Sequence, residues 1–217
     1  MTSGAQREKG LIRPRVQAAI DALSAGDRSA RSAAICRAIV ASEVFRSARS
    51  VLGYIATPAE VDVTALMGAA LEAGKRVGAP RMDWESRTMW GVEVFEAQFQ
   101  TEVRRHGVSE PLEGPPMAVE GIDLIIAPGV AFDLSGGRLG RGAGYYDRFL
   151  ELWRGARDRA DPEVSPEARG SVIGVCFGVQ IVERVPRESH DALMDGVASE
   201  EGLMMCRDGT HRADRKR

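Results

Sequence analysis

The sequence predicts an α/β fold of three layers, in which a mostly parallel, Rossmann-like β-sheet lies between helices. An N-terminal pair of helices is expected before the first strand. Two observations predict this fold. Short apolar segments rich in Val and Ile alternate along the 217 residues with segments whose apolar residues recur at helical spacing. Short links join these segments, and strand-helix-strand repeats of this kind indicate a parallel sheet.

The two N-terminal helices are predicted from apolar spacing and from helix-boundary residues. Residues 16–23 carry an apolar stripe, and Pro14 suits a first turn, so we expect the first helix to begin there. Gly and Asp at 26–27 interrupt the pattern. Ser29 is then expected to cap a second helix whose apolar residues lie within 35–45.

The remaining elements alternate between apolar strands and helices. Residues 121–133 form the most hydrophobic strand segment, so we expect it at the centre of the sheet with both faces covered. A helix over 63–75 has Gly74 near its end, and another is expected from about Tyr145 to Arg157. Loops and a short edge strand are expected after residue 178. The other predicted strands span 50–56, 76–80, 88–95 and 171–178.

Composition excludes several classes of protein. A formal net charge of -2 and a pI near 6.0 argue against nucleic-acid binding through bulk charge. The three cysteines, Cys36, Cys176 and Cys206, are far apart and show no CxxC spacing. Neither a disulfide framework nor a zinc site is therefore expected, and we interpret them as buried thiols.

The chain is expected to form one domain over residues 9–205. Residues 1–8 are expected to be a flexible N-terminus, and residues 206–217 a flexible basic tail. The sequence contains no run of about 18 apolar residues and does not begin with the apolar segment of a secretory signal. We therefore expect a cytoplasmic protein without a membrane partner, present as a monomer or a weak homo-oligomer.

A glycine-rich loop at 140–144, with the sequence GRGAG, is the feature least typical of a scaffold. Glycines let backbone N–H groups approach phosphate oxygens, and the N-terminus of the following helix carries partial positive charge. Arg138, Arg141 and Arg148 add full positive charges. The loop is therefore either a phosphate-binding segment or a mobile hinge before a helix.

The loop does not match the common nucleotide-binding motifs. A Walker loop requires GxxxxGK[ST], and a dinucleotide fingerprint requires GxGxxG directly after a strand, but neither occurs here. Asp147, in the first turn of the next helix, either complements the helix dipole or holds a divalent cation. Tyr145 and Tyr146 either pack at the helix start or offer rings and hydroxyls to a ligand.

The stretch PGVAFDLSGGRLGRGAGYYDRFL resembles the signature of the 5-formyltetrahydrofolate cyclo-ligase family, also called methenyltetrahydrofolate synthetases. The resemblance covers about residues 9 to 202 in the family's order. Further similar segments are KGLIR (9–13), AEVD (59–62), EAGKRVGAPR (72–81), GVSEP (107–111) and VQIVERVPRESHDALMDGVASE (179–200).

The resemblance implies an ATP- and magnesium-dependent reaction. In it, 5-formyltetrahydrofolate is cyclised to 5,10-methenyltetrahydrofolate, and ADP and phosphate are released. Phosphorylation of the formyl oxygen would make it a good leaving group, which N10 then displaces. Such a reaction depends on positioning and charge neutralisation and needs no protein nucleophile, which agrees with the absence of an obvious Ser-His or Cys-His motif.

The resemblance also assigns site residues by their match to family motifs. The ATP-binding residues it implies are Lys9, Arg13, Arg138, Gly140, Arg141, Gly142, Ala143, Gly144 and Tyr145, and the catalytic ones are Arg138, Arg141 and Tyr146. The folate-binding residues it implies are Glu60, His106, Tyr145 and Tyr146, and the magnesium ligands are Asp147 and Asp191.

Several of these residues also have simpler interpretations. Glu60 is either a partner for the ring N–H and amino groups of the pterin or a solvated acid in a loop. His106 either flanks the folate or lies on the surface. Lys9 and Arg13 are four residues apart and would share a helix face, but Pro14 directly after them leaves it open whether the helix reaches that far.

Other functions account less well for the loop. A non-catalytic relative that binds folate or nucleotide should lose the loop arginines or the acidic metal ligands, and this sequence retains both. A nicotinamide-dependent enzyme is disfavoured by the missing GxGxxG context and by the lack of an acidic residue at the ribose position. An interaction scaffold would leave the loop unexplained.

Overall fold

A seven-stranded sheet forms the centre of the protein in the computed structural model, which describes residues 4–104, 108–160, 170–188 and 191–206. The helices are α1 (Gly4–Asp21), α2 (Ala25–Val40), α3 (Glu43–Ser47), α4 (Thr64–Glu72) and α5 (Tyr145–Ala160). The strands are β1 (Ser50–Leu52), β2 (Arg76–Asp83), β3 (Thr88–Val94), β4 (Thr101–Val103), β5 (Ser109–Pro111), β6 (Leu124–Ala127), β7 (Ala131–Phe132), β8 (Arg138–Leu139), β9 (Ser171–Val175), β10 (Gly196–Ser199) and β11 (Gly202–Met205).

The sheet is mostly parallel, as predicted. Its order is β11-β10-β9-β6-β1-β2-β3. The neighbours from β10 to β2 pair in parallel, and the two edge strands β11 and β3 pair antiparallel to their neighbours. β6 occupies the middle position, which confirms the expectation from its hydrophobicity. Two short hairpins, β4-β5 and β7-β8, lie outside this sheet.

Alternate side chains of the central strands pack into two separate hydrophobic cores, one on each face of the sheet. In β6, Leu124 and Ile126 join the core that includes residues of α1 to α4, whereas Ile125 and Ala127 join the core that includes residues of α5. Successive side chains of a strand point to opposite faces of its sheet, so helices cover both faces. The predicted three-layer arrangement is confirmed.

The first helix begins earlier than predicted. We expected it to start at Pro14, but α1 runs from Gly4 with Pro14 inside it, so residues 4–8 belong to this helix. A proline in a helix removes one backbone hydrogen bond. Tertiary contacts compensate here, because Lys9, Val16 and Ile20 of this helix are all buried.

The second helix also differs in its boundaries. Its N-cap is Ser24, whose hydroxyl accepts a hydrogen bond from the backbone N–H of Asp27, and not the predicted Ser29. Gly26 is tolerated in the first turn. Phe45 lies in the separate helix α3, which Ser42 caps through the N–H of Phe45. The strand predicted over 50–56 is shorter, since only β1 pairs with its neighbours.

The three cysteines form no disulfide in the structure. Cys36 and Cys176 are buried, Cys206 is half-buried, and all three thiols are free. No helix within the described ranges combines the length and apolar character needed to cross a bilayer. Of the tail predicted from residue 206, residues 207–217 lie outside the part of the chain that the structure describes.

Asp133 fastens the turn between β7 and β8 to a distant segment of the chain. It is fully buried, and its carboxylate accepts hydrogen bonds from the backbone N–H groups of Gly137 and Val185 at 2.9 and 2.8 Å. Arg187 donates to both carboxylate oxygens, and Ser135 donates through its backbone and its hydroxyl. Burial alone would raise the pKa of Asp133, but these donors together lower it to about 2.

We predict that Asp133→Asn lowers the free energy of unfolding by about 3 kcal/mol at neutral pH, because it breaks a buried pair and leaves Arg187 without its partner. The folded-state pKa of Asp133 lies below its ordinary value of 3.8, so the carboxylate stabilises the fold above about pH 4 and this stabilisation is lost as the pH falls towards 2. Urea unfolding at several pH values measures both effects.

The control for this experiment is Glu72→Gln at an exposed position of α4. The variant Asp133→Asn should show a flatter dependence of stability on pH between 4 and 2 than either the control or the unmodified protein. An unchanged urea midpoint at neutral pH would contradict the role assigned to Asp133.

Candidate active site

Several of the predicted site residues, among them Glu60 and the glycine-rich loop, follow the carboxyl ends of β1 and β6. From β1 the chain continues through α4 to β2 on one side, whereas from β6 it continues to β9 and β10 on the other side. The two strands are neighbours, so a crevice opens between the loops that follow them, as is usual at such switch points in parallel sheets. Glu60 lies in the loop after β1, and residues 128–144 follow β6.

The glycine-rich loop connects β8 to the N-terminus of α5. Gly142 and Gly144 have φ of 106° and 71°, in the left-handed region that side chains other than glycine rarely adopt. α5 begins directly afterwards at Tyr145, so the unpaired N–H groups of its first turn lie next to the loop. Positive charge and backbone donors are therefore concentrated here.

Arg138 is the most buried cation of the loop region, with 8% of its surface exposed. Its Nη2 donates to Oδ1 of Asp147 at 2.8 Å, and its Nη1 donates to the carbonyl of Pro128 at 3.3 Å. The guanidinium carbon lies 5.4 Å from the centre of the Tyr146 ring, a distance typical of a cation–π contact. The Nε of Arg138 is buried without a partner among the described residues.

Helix α1 carries the other two cations predicted to bind ATP. Arg13 donates from Nε to the carbonyl of Gly140 at 3.2 Å, at the start of the loop. The buried ammonium of Lys9 lies 2.7 Å from Asp191 and 3.4 Å from Glu188. Because α1 continues through Pro14, Lys9 and Arg13 lie one turn apart on this helix, which resolves the question that the sequence left open.

Glu60 is held by contacts on both of its oxygens. Thr57 donates to Oε2 through its backbone N–H and its hydroxyl, both at 2.9 Å. Arg141 donates from Nη2 to Oε1 at 3.1 Å and to the hydroxyl of Thr57 at 2.8 Å. Glu60 is thus an oriented carboxylate and not a solvated loop acid. It lines a cavity of about 100 Å³ together with Gln17, Ile20, Ala59, Gly129, Val130 and Arg141.

The two tyrosines have different surroundings. The hydroxyl of Tyr146 is buried and has no hydrogen-bond partner among the described residues. Burial, followed by the nearby negative charge of Glu60, raises the pKa of Tyr146, although Arg138 acts in the opposite direction. Tyr146 therefore keeps its proton at neutral pH. Tyr145 instead packs edge to face on Trp84, with 5.6 Å between ring centres.

The two predicted metal ligands lie in separate ion pairs. Asp147 contacts Arg138, and Asp191 contacts Lys9. Within the described ranges, no group of three or more His, Cys, Asp or Glu side chains could hold a metal ion by itself. A divalent cation would need further ligands here, and the phosphates of a nucleotide commonly supply them. His106, predicted to contact the folate, lies outside the described residues.

Sequence reasoning did not identify the aromatic and polar groups around Tyr145. Trp84 lies in the turn between β2 and β3, and its indole N–H donates to Glu110 at 2.9 Å. Glu110 is 1% exposed and also accepts from the backbone N–H of Met82. The only sequence signal for Glu110 was the Glu-Pro pair within the segment 107–111. That pair predicted neither the burial of the carboxylate nor its contact with Trp84.

Comparisons with known proteins agree with this geometry. A family model described as the 5-formyltetrahydrofolate cyclo-ligase family matches residues 5–200. A 5-formyltetrahydrofolate cyclo-ligase of Mus musculus is 26% identical over 196 residues, covering 88% of this chain and 92% of its own. One from Mycolicibacterium smegmatis is 32% identical over 162 residues, covering 70% of this chain and 73% of its own.

A solved structure shows the same fold. The NMR structure of Aquifex aeolicus 5,10-methenyltetrahydrofolate synthetase superposes with a TM-score of 0.73 at 29% identity, covering 96% of this chain and 99% of that one. Together with the match over residues 5–200, this similarity shows that the chain belongs to the 5-formyltetrahydrofolate cyclo-ligase family.

Proposed function

We propose that the protein converts 5-formyltetrahydrofolate to 5,10-methenyltetrahydrofolate with ATP, releasing ADP and phosphate. The observation that carries the proposal is the grouping of three cations, Arg13, Arg138 and Arg141, at one glycine-rich loop that follows a strand of the parallel sheet. Lys9 lies one turn from Arg13 on α1. Such a loop suits a triphosphate. Family membership and the relatives' names support the identity of the second substrate.

The chemistry requires two bond exchanges at the formyl group. The γ-phosphoryl group of ATP passes to the formyl oxygen, and ADP leaves. N10 then attacks the formyl carbon and releases its proton to solvent, and the C–O bond breaks as phosphate departs. Negative charge develops on the phosphoryl oxygens, so fixed guanidinium groups and backbone N–H groups lower the barrier. We assign this role to Arg138, Arg141 and the loop residues 140–144, with Lys9 and Arg13 as further phosphate-binding groups.

Tyr146 is proposed to donate a hydrogen bond to a ligand oxygen. A buried hydroxyl without a partner costs free energy, and in a native site this suggests a missing ligand group. Because the pKa of Tyr146 is raised by burial, the hydroxyl is a donor throughout the physiological pH range. An acceptor near the Glu60 side of the site, such as the formyl oxygen, would satisfy it.

Glu60 is proposed to bind the pterin. Its carboxylate is already oriented by Thr57, and a carboxylate is a suitable partner for the adjacent N–H and amino donors of a pterin ring. The ring of Tyr145 is a further proposed folate contact. His106 remains a proposed folate contact from the resemblance alone.

The acidic residues fit a magnesium ion that is bound mainly through phosphates. Mg²⁺ in such sites takes one or two carboxylates and keeps several waters. Asp147 uses one oxygen for Arg138, and its side chain is 21% exposed, so the carboxylate could also serve a cation. Asp191 is proposed as the second ligand. Bound Mg²⁺ would neutralise charge on the phosphate oxygens.

A non-catalytic relative that binds folate or nucleotide is the alternative. The paired cations and the oriented Glu60 favour an enzyme, since a regulatory binder would not need both sides of the site. A cytoplasmic location and a monomeric or weakly self-associating state are part of the proposal and rest on the sequence.

The reaction can be tested directly by mixing the purified protein with 5-formyltetrahydrofolate and MgATP. We expect the methenyl chromophore and ADP to appear in equal amounts, and we expect both to depend on every component, including Mg²⁺. Binding of either substrate without turnover would support the non-catalytic alternative, and no binding of folate or nucleotide would refute the proposal.

Arg138→Gln should lower kcat/KM by about 100-fold or more, which corresponds to roughly 2.7 kcal/mol of lost transition-state stabilisation. Arg159→Gln is the matched control, because it removes the same charge from an exposed position of α5. Circular dichroism checks that both variants fold. Near-normal kcat/KM in a folded Arg138→Gln protein would remove Arg138 from the catalytic assignment.

Tyr146→Phe should lower turnover without lowering the free energy of unfolding. Removing a buried hydroxyl that has no partner in the described part of the chain is expected to leave the free energy of unfolding unchanged or raise it by up to about 1 kcal/mol. Turnover should fall by about 10- to 100-fold, because the ligand loses a donor. Steady-state kinetics and urea unfolding measure the two effects, and unchanged turnover would show that the hydroxyl does not contact the reacting groups.

A further inference from the structure

Arg148, one turn into α5, contacts both the glycine-rich loop and the turn between β2 and β3. Its Nη2 donates to the carbonyl of Ala143 at 2.9 Å, at the end of the glycine-rich loop. The same guanidinium donates through Nε and Nη2 to the carbonyl of Arg87 at 2.9 and 2.6 Å. Arg87 lies in the turn between β2 and β3, the turn that also carries Trp84.

The backbone on both sides of this contact is unusual. Arg87 has a φ of 57° and is the one residue other than glycine with a positive φ among those described. This conformation costs free energy for a residue other than glycine, so contacts with the surroundings must stabilise it. On the loop side, a Cβ at Gly144 would lie 2.7 Å from Nη1 of Arg148. Glycine at 144 therefore leaves room for the guanidinium.

The contacts of Arg148 differ from those of the other loop cations. Lys9, Arg138 and Arg141 each pair with a carboxylate. Arg148 forms no ion pair within the described ranges, and it binds carbonyl oxygens and lies 5.5 Å from the centre of the Tyr145 ring. The planar fork of an arginine can reach several acceptors in fixed directions, which a lysine cannot do.

The same turn approaches Tyr145 through a second contact. Trp84 packs edge to face on Tyr145, and buried Glu110 fixes the indole N–H. The turn is thus attached to the start of α5 by an aromatic contact and by the guanidinium of Arg148. Loss of Arg148 would release the loop end and the turn together.

We infer that Arg148 is a positioning residue. It binds the glycine-rich loop and the turn that carries Trp84, and so fixes the position of the ATP-binding side of the site relative to the folate-binding side. The inference rests on the proposed function for the assignment of the two sides, with the loop on the ATP side and Tyr145 on the folate side. Arg148 is not assigned a contact with the transferred phosphoryl group.

The first test is NMR relaxation of the backbone amides, which does not depend on turnover. In Arg148→Gln, the order parameters of residues 84–88 and of residues 140–144 should both fall by about 0.2 or more, because both segments lose the guanidinium that holds them. Arg159→Gln should leave both unchanged. A lower order parameter in the loop alone, or in neither segment, would overturn the inference even if the protein is an active cyclo-ligase.

The second test is kinetic and uses Arg148→Gln and Arg148→Lys. We expect the KM values for MgATP and for 5-formyltetrahydrofolate to rise together, by about tenfold, with a smaller change in kcat. Lysine should fail to restore either KM, because it keeps the charge without the fork. A rise in the KM for MgATP alone, with rescue by lysine, would show that Arg148 is a simple phosphate-binding cation and would refute the positioning role.

Discussion

The ion pair between buried Arg138 and Asp147 is the interaction on which the rest of the site depends. A guanidinium with 8% exposure needs a partner, and Asp147 supplies it from the first turn of α5. The pair sets the distance between β8 and α5, and therefore the path of the glycine-rich loop between them. It also places the guanidinium over Tyr146, whose hydroxyl remains without a partner among the described residues.

Ion pairs between distant parts of the chain position the other residues of the site. Asp133 fixes the turn before β8 and ties it to residues 185–187, near Glu188, which pairs with Lys9 of α1. Glu60 arrives from the neighbouring strand and meets Arg141. Each predicted phosphate-binding cation except Arg13 therefore lies against an acid in this structure. Bound phosphates would compete with these acids for the same cations, which links the proposed ATP site to the proposed folate and metal ligands.

Much of the fold could be predicted from the sequence, because apolar periodicity reports which faces are buried. The central position of β6 and the start of α5 at Tyr145 are examples. The errors arose where tertiary contacts outweighed local preferences, as at Pro14 inside α1 and at Ser24 in place of Ser29. For the site, the motifs indicated the residue types, but the pairing of Lys9 with Asp191 joins positions 182 residues apart. No local pattern could show that contact, or the contact between Arg148 and Arg87.

The most direct measurement is a crystal structure of the protein with a non-hydrolysable ATP analogue and Mg²⁺. We expect the triphosphate to lie along residues 140–144, within hydrogen-bond distance of Arg138 and of at least one of Lys9 and Arg13. A triphosphate bound elsewhere, with this loop and its ion pairs unchanged, would contradict it.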